Sequence, residues 1–278
     1  MDNNAYENLE ILGVGNRNGG RFGRVVIAGS GKITGELECE SFSLPGAGKV
    51  EGGGLTVHGP IEIDGAGKAE GPVRGESLEV NGSFKAEAGC EIAGDAAVDG
   101  SFRVEGGPCA VGGKLDVDGS LKVEGALTVG ELEADGAVSV EGSVRAEGLV
   151  DVDGVFKAVG EVQAETFRAD GVVKIDGLLN AETVELTLSG EDRIESIGGG
   201  RVTVRGGRRG FSLFARTKRP CLSAELIEAD EIDLEYTDCR TVRGVNVHIG
   251  SECVVDRVEY SGTLTTAADA QIGEKVKI

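Results

Sequence analysis

The sequence predicts an all-β chain wound as a parallel β-helix, a solenoid, and three observations predict it. Glycine supplies 47 of the 278 residues, more than twice its usual share of about 7%. A glycine-anchored unit recurs about every 18 residues. Inside each unit, apolar and polar residues alternate with the period of a half-buried strand. The same glycine content argues against a helical protein, because each interior glycine costs a helix about 1 kcal/mol. Collagen is excluded because glycine does not fall at every third residue. Disorder is excluded by a hydrophobic fraction of 40%.

The anchors are Gly29, Gly46, Gly65, Gly82, Gly100, Gly119, Gly136, Gly154 and Gly171. The residues two and four places after each anchor are apolar or glycine and are predicted to point inward: Gly31/Ile33, Gly48/Val50, Gly67/Ala69, Phe84/Ala86, Phe102/Val104, Leu121/Val123, Val138/Val140, Phe156/Ala158 and Val173/Ile175. The residue between each pair is basic in eight of the nine copies, and the residue after the pair is acidic in seven. Stacked at about 4.8 Å per coil, these positions predict a basic ladder beside an acidic one, with Lys–Glu pairs between neighbouring coils. Because the inward column opens on Gly31, Gly48 and Gly67, the core is expected to be thinner there and fuller from Phe84 onward.

One coil can be divided completely. Residues 119–136 read SLKVEG, ALTVGE and LEADG after the anchor, with inward pairs Leu121/Val123, Leu127/Val129 and Leu132/Ala134. Three short strands and three corners in about 18 residues make one turn of a β-helix. The Asp-Gly steps are expected to be corners where glycine accepts a positive φ. The division along the chain is then 1–20 as a flexible arm or first-coil cap and 21–204 as β-helix. A basic, aromatic insertion follows at 205–220, and C-terminal β-helix coils and a tail occupy 221–278. One solenoid with an insertion is expected rather than two domains.

Charge and motifs narrow the function. The net charge of −20 disfavours nucleic acid as a partner. GSGKIT at 29–34 lacks the spacing of a phosphate loop, since Lys32 is followed by Ile33. The corner aspartates do not follow the nine-residue repeat of a calcium-binding β-roll. Coils of three hexads also describe the left-handed β-helix of acyltransferases, but neither His58 nor His248 stands beside a nucleophile motif or an obvious orienting carboxylate. Catalytic, cofactor and metal residues are therefore not expected. The six cysteines, Cys39, Cys90, Cys109, Cys221, Cys239 and Cys253, fit no common zinc spacing and read mostly as small buried hydrophobes in a reduced, cytoplasmic protein.

The chemically unusual stretch is 205–220, RGGRRGFSLFARTKRP, with six cations and no acid. Arg208, Arg209, Arg216, Lys218 and Arg219 flank Phe211, Leu213 and Phe214. That composition suits an anionic membrane surface or an acidic partner, or a solvated loop folded against the acidic solenoid.

GSGKITG, GAGKVEG and GAGKAEG, with the strands between them as in GKITGELECESFSLPGAGKVEG, resemble the bactofilin family of polymer-forming cytoskeletal proteins. The closing coils, ADEIDLEY through VEYSGTL, resemble longer bactofilin-like proteins of Gram-positive bacteria. The resemblance covers most of residues 25–265. It implies a right-handed β-helix, homopolymeric filaments formed end to end without nucleotide, and no catalytic residues. The length of the chain and its basic insertion depart from the family pattern. A β-helix has two open ends, so the first coil, around Val25, Ile27 and Ile33, and the last, around Val254, Val258 and Leu264, are expected at polymer contacts. The alternatives are a non-polymerising binding scaffold that localises another protein and a β-helical acyltransferase.

Overall fold

The computed structural model describes residues 6–207 and 221–278. Among these residues there is no helix, and every strand pairing whose register is resolved is parallel. The chain comprises two compact units, Met1–Gly142 and Ser143–Ile278, and each is a parallel β-solenoid.

In the first unit the coil period becomes register. Phe84 pairs with Gly67 on one side and Phe102 on the other, and Leu121 continues the column to Val138. The inward pairs read from the sequence are buried, with the half-buried Gly48 and Gly67 as exceptions. Phe84 and Phe102 stack with ring centroids 5.6 Å apart and planes inclined by 10°. The glycine stretch of this column is not hollow. A Cβ on Gly31 would lie 2.7 Å from Ile27 Cγ2, and one on Gly48 2.7 Å from Leu44 Cδ1. Large side chains from the adjoining wall occupy the space that the glycines leave.

The Asp-Gly corners keep glycine for a reason other than the expected one. The glycines with φ in the left-handed region include Gly35, Gly52, Gly89 and Gly106, and no corner anchor is among them. Instead the corners stack tightly. The carbonyl oxygen of Gly100 accepts a hydrogen bond from Ser120 N at 2.8 Å, and a Cβ on Gly119 would overlap that same oxygen. The same overlap recurs at Gly46, Gly65, Gly82, Gly100 and Gly136, each against the preceding anchor.

The outer ladders pair as expected. Lys49 Nζ lies 2.8 Å from Glu51 of its own coil and 2.7 Å from Glu70 of the next. Lys85 repeats the arrangement with Glu87 and Glu105, and Arg103 with Glu105 and Glu124.

The second unit carries longer strands, among them Val172–Leu188, Glu191–Gly206 and Cys221–Leu234. Its core includes Phe156 and Phe167 in an edge-to-face contact at 5.8 Å. Asp192 stands in the inward column, between the positions of Val173 and Leu222, and is 4% exposed. Its Oδ1 accepts from the Val173 amide at 2.6 Å, while Oδ2 has no partner. Burial raises its pKa to about 6 against the smaller opposing effects of that amide and of Lys174.

Candidate functional site

The terminal coils are where a solenoid leaves backbone groups unpaired, and the first unit begins earlier than its repeat suggests. Residues 9–20, expected as an arm or cap, are largely strand, in Leu9–Ile11 and the first half of Val14–Ile27. Leu9 pairs with Val25 and Ile11 with Ile27. Ile33 lies between Arg17 and Val50. All three residues expected on the first coil, Val25, Ile27 and Ile33, are therefore interior, each 0% exposed. The periodicity hides the true first coil because its strand, VGNRNGGRF, has arginine and glycine at inward positions where later coils carry Val, Ile or Leu.

The exposed edge of this coil is the segment 14–22. It pairs with residues 30–39 on one side and has no strand on the other among the described residues. Leu12 and Val14 flank its start, 73% and 93% exposed. Arg21 binds Glu38 at 2.6 Å, and Glu38 also meets His58 Nε2 at 3.0 Å. These two contacts, His58 first, hold the Glu38 carboxyl below its ordinary range. Arg17 belongs to the inward column of Ile33, yet its side chain is exposed, and its Nη1 donates to the Asn16 carbonyl at 2.9 Å. The same nitrogen lies 3.8 Å from where a Cβ on the inward Gly15 would sit. The guanidinium thus lies near Gly15 on the exposed edge.

In the second unit the last strands are Leu264–Thr266 and Gln271–Lys277. Leu264 pairs with Val247 and lies on the edge. Val254 is 42% exposed between Asp238 and Gln271. Val258 is interior, between Val242 and Lys275. Among the described residues Lys275 is therefore the last in the column that holds Ile227, Val242 and Val258, and it is exposed. A cation on an inward column was not legible in the sequence at either terminus, because in both strands the period of two is broken.

Arg208, Arg209, Phe211, Leu213, Phe214, Arg216, Lys218 and Arg219 lie outside the described residues. Arg205 belongs to the strand Glu191–Gly206 rather than to an insertion. Its guanidinium grips the Asp233 carboxylate through two nitrogens, one at 2.7 Å. Asp233 is held below its ordinary range by that contact.

Cys90 and Cys109 pair across adjacent coils, and the other chemistry-bearing groups sit in separate local contacts. His248 Nδ1 lies 2.7 Å from Thr265 Oγ1, on a different unit from His58. Lys32 is committed to Glu51, within the ladder. Burial pushes the thiols of Cys39 and Cys239 up to about 12 and that of Cys253 to about 11. Those three thiols are protonated at neutral pH. Among the described residues, no group of three or more His, Cys, Asp or Glu side chains is arranged to hold a metal ion.

Two curated proteins of Bacillus subtilis (strain 168) are similar to part of the chain. Uncharacterized protein YhbE is 38% identical over 100 residues, which are 36% of this chain and 42% of YhbE. Uncharacterized protein YhbF is 36% identical over 100 residues, 36% of this chain and 41% of YhbF. The chain spans about two fifths of the length of these relatives. No family model matches the chain, and no solved structure matches it.

Proposed function

We propose that the chain is a non-enzymatic, bactofilin-like scaffold that joins end to end into filaments without nucleotide, in the cytoplasm. The observation that carries this reading is the pair of strand edges, at 14–22 and at Gln271–Lys277, that have no further strand among the described residues, each with apolar side chains beside unpaired backbone. Addition of a strand satisfies such an edge and buries the core residues next to it. Negative-stain electron microscopy of the purified chain without nucleotide tests it. Filaments support the reading, and particles that stay single at high concentration overturn it.

A second reading, a scaffold that localises another protein without polymerising, is favoured by Arg17 and Lys275. An inward-pointing charge is a common way to stop edge-to-edge addition. In either reading, the cation-rich stretch 208–219 with Phe211, Leu213 and Phe214 is the segment suited to an anionic membrane surface or an acidic partner. Co-sedimentation with anionic liposomes, comparing the chain with a Phe211→Ser/Phe214→Ser variant, tests the membrane version. No helix of the described residues is long and apolar enough to cross a membrane.

A further inference from the structure

We propose that the open edge at 14–22 receives an extended, carboxylate-bearing segment of a partner, added as a further strand and anchored by Arg17. This goes beyond the filament reading and competes with it, because a strand seated here caps the end through which copies would join.

Charge along the chain is the first observation. The whole carries a net −20, yet residues 11–35 contain four cations, Arg17, Arg21, Arg24 and Lys32, and no acid. Positive charge is concentrated at the first coil of an acidic molecule.

Two of these cations are already committed, Arg21 to Glu38 and Lys32 to Glu51. Arg17 is not. Among the described residues its guanidinium meets only the Asn16 carbonyl, and it lies near Gly15 on the exposed edge. Four of its five N–H groups remain available, in the planar fork that matches a carboxylate.

The edge itself supplies the rest of the recognition. It offers a row of backbone donors and acceptors, and the exposed Val14 stands at its start. No side chain crowds a possible Cβ at Gly13 within 4 Å. Strand addition uses such main-chain groups for affinity and alternate side chains for choice of partner.

Charge complementarity selects the occupant. The other terminal strand of this chain, Gln271–Lys277, carries Lys275 on the inward column of Val258, a charge of the same sign as Arg17. Its single acid, Glu274, is bound to Arg257 at 2.8 Å. A second copy presenting either terminal edge therefore brings a cation where the site needs an anion.

The test measures binding of two labelled eight-residue peptides, alternating Val-Glu and alternating Val-Lys, to the full chain by fluorescence anisotropy. Hydrogen exchange then locates the bound peptide. The expected result is binding of the Val-Glu peptide alone, with new protection at the amides of residues 14–22. Arg17→Glu weakens it by about tenfold or more, the loss of a charge-assisted pair, and Arg17→Gln weakens it less. Lys122→Glu, an equal change of net charge on the outer ladder, leaves it unchanged. Circular dichroism shows that each variant keeps its strand content. The proposal is overturned if neither peptide binds, if both bind equally, if protection falls elsewhere, or if Lys122→Glu weakens binding as much as Arg17→Glu. Binding is measured at a chain concentration at which electron microscopy shows single particles, and filament formation is scored separately at higher concentration, so its failure and that of the filament reading are distinguishable.

Discussion

The ammonium of Lys49 lies 2.7 Å from the carboxylate of Glu70, one coil further along the stack. Because Lys49 also holds Glu51, and Lys68 in turn reaches Glu70 and Glu87, the charges form a continuous ribbon across successive coils. Lys32 first, and then Lys49, hold the Glu51 carboxyl down to about 2. A carboxyl with a depressed pKa contributes stability that is present above its unfolded value and is lost as the pH falls through the folded one. The melting temperature is therefore expected to drop between about pH 4 and pH 2, the window set by the ordinary carboxylate pKa and the folded value of Glu51. Thermal melts by circular dichroism should show a shallower drop for a Glu51→Gln, Glu70→Gln, Glu87→Gln variant. Near neutral pH the difference is small and shrinks with salt, because the ladder is solvent-exposed.

The corner stack makes a sharper demand. A methyl group at Gly119 meets the Gly100 carbonyl that already accepts the Ser120 amide. Gly119→Ala must push two coils apart or lose that bond, and is expected to cost about 2 kcal/mol or more in urea unfolding. Gly13 has nothing within 4 Å of an added Cβ, so Gly13→Ala is expected to stay within about 0.5 kcal/mol of wild type. Equal effects at the two positions would show that the corners need glycine's flexibility rather than its size.

Asp192 gives the opposite pH dependence to the ladder. Its pKa is raised to about 6, chiefly by burial. The folded chain therefore holds this proton more tightly than the unfolded chain. The resulting stability is fully present below about pH 4, the ordinary range of an aspartate, and is lost as the pH rises through about 6. Ionised Asp192 then costs the fold on the order of 3 kcal/mol at pH 8, at about 1.4 kcal/mol per pKa unit. Asp192→Asn keeps an oxygen for the Val173 amide and removes the charge. It is expected to stabilise the chain at pH 8 and to have little effect at pH 4, as read from urea midpoints at the two values.

The same residue marks where sequence reading stops. Columns such as Phe84, Phe102 and Leu121 were legible because each is apolar and each coil repeats its neighbour. Asp192 falls outside the regular repeat, and no pattern distinguishes an inward aspartate from one at a corner. Arg17 and Lys275 escape the pattern for a related reason: a terminal coil has a neighbour on one side only, so its inward positions tolerate charge and the alternation fades. The Asp-Gly steps place the corner glycines but not the reason for them, since a string of such steps does not reveal that each Cβ direction points at the carbonyl one coil away. Of the candidate assembly residues, Leu264 lies on an edge and Val254 is partly exposed, while Val25, Ile27, Ile33 and Val258 are covered by strands that carry too little periodicity to be recognised.

That displacement of the ends changes what mutagenesis should show. Val25 is sealed between Leu9 and Phe42 in the column of the first unit. A charge there is buried without a partner, so Val25→Asp is expected to unfold the first coils and to lower strand content by circular dichroism, whether or not copies join. Val14 is 93% exposed at the beginning of the open edge. Val14→Lys adds a cation to the same edge strand as Arg17 and buries nothing in the single chain. Lysine on an edge strand opposes addition of another strand, so this variant should keep the wild-type melt and lose filaments in electron micrographs. Lys122→Glu breaks one rung of the ladder, the 2.8 Å contact with Glu141, at a distance from both terminal strands in sequence. It should leave filaments intact. Filaments that survive Val14→Lys and dissolve with Lys122→Glu would place the contact between copies on the ladder face, and assembly would then be lateral.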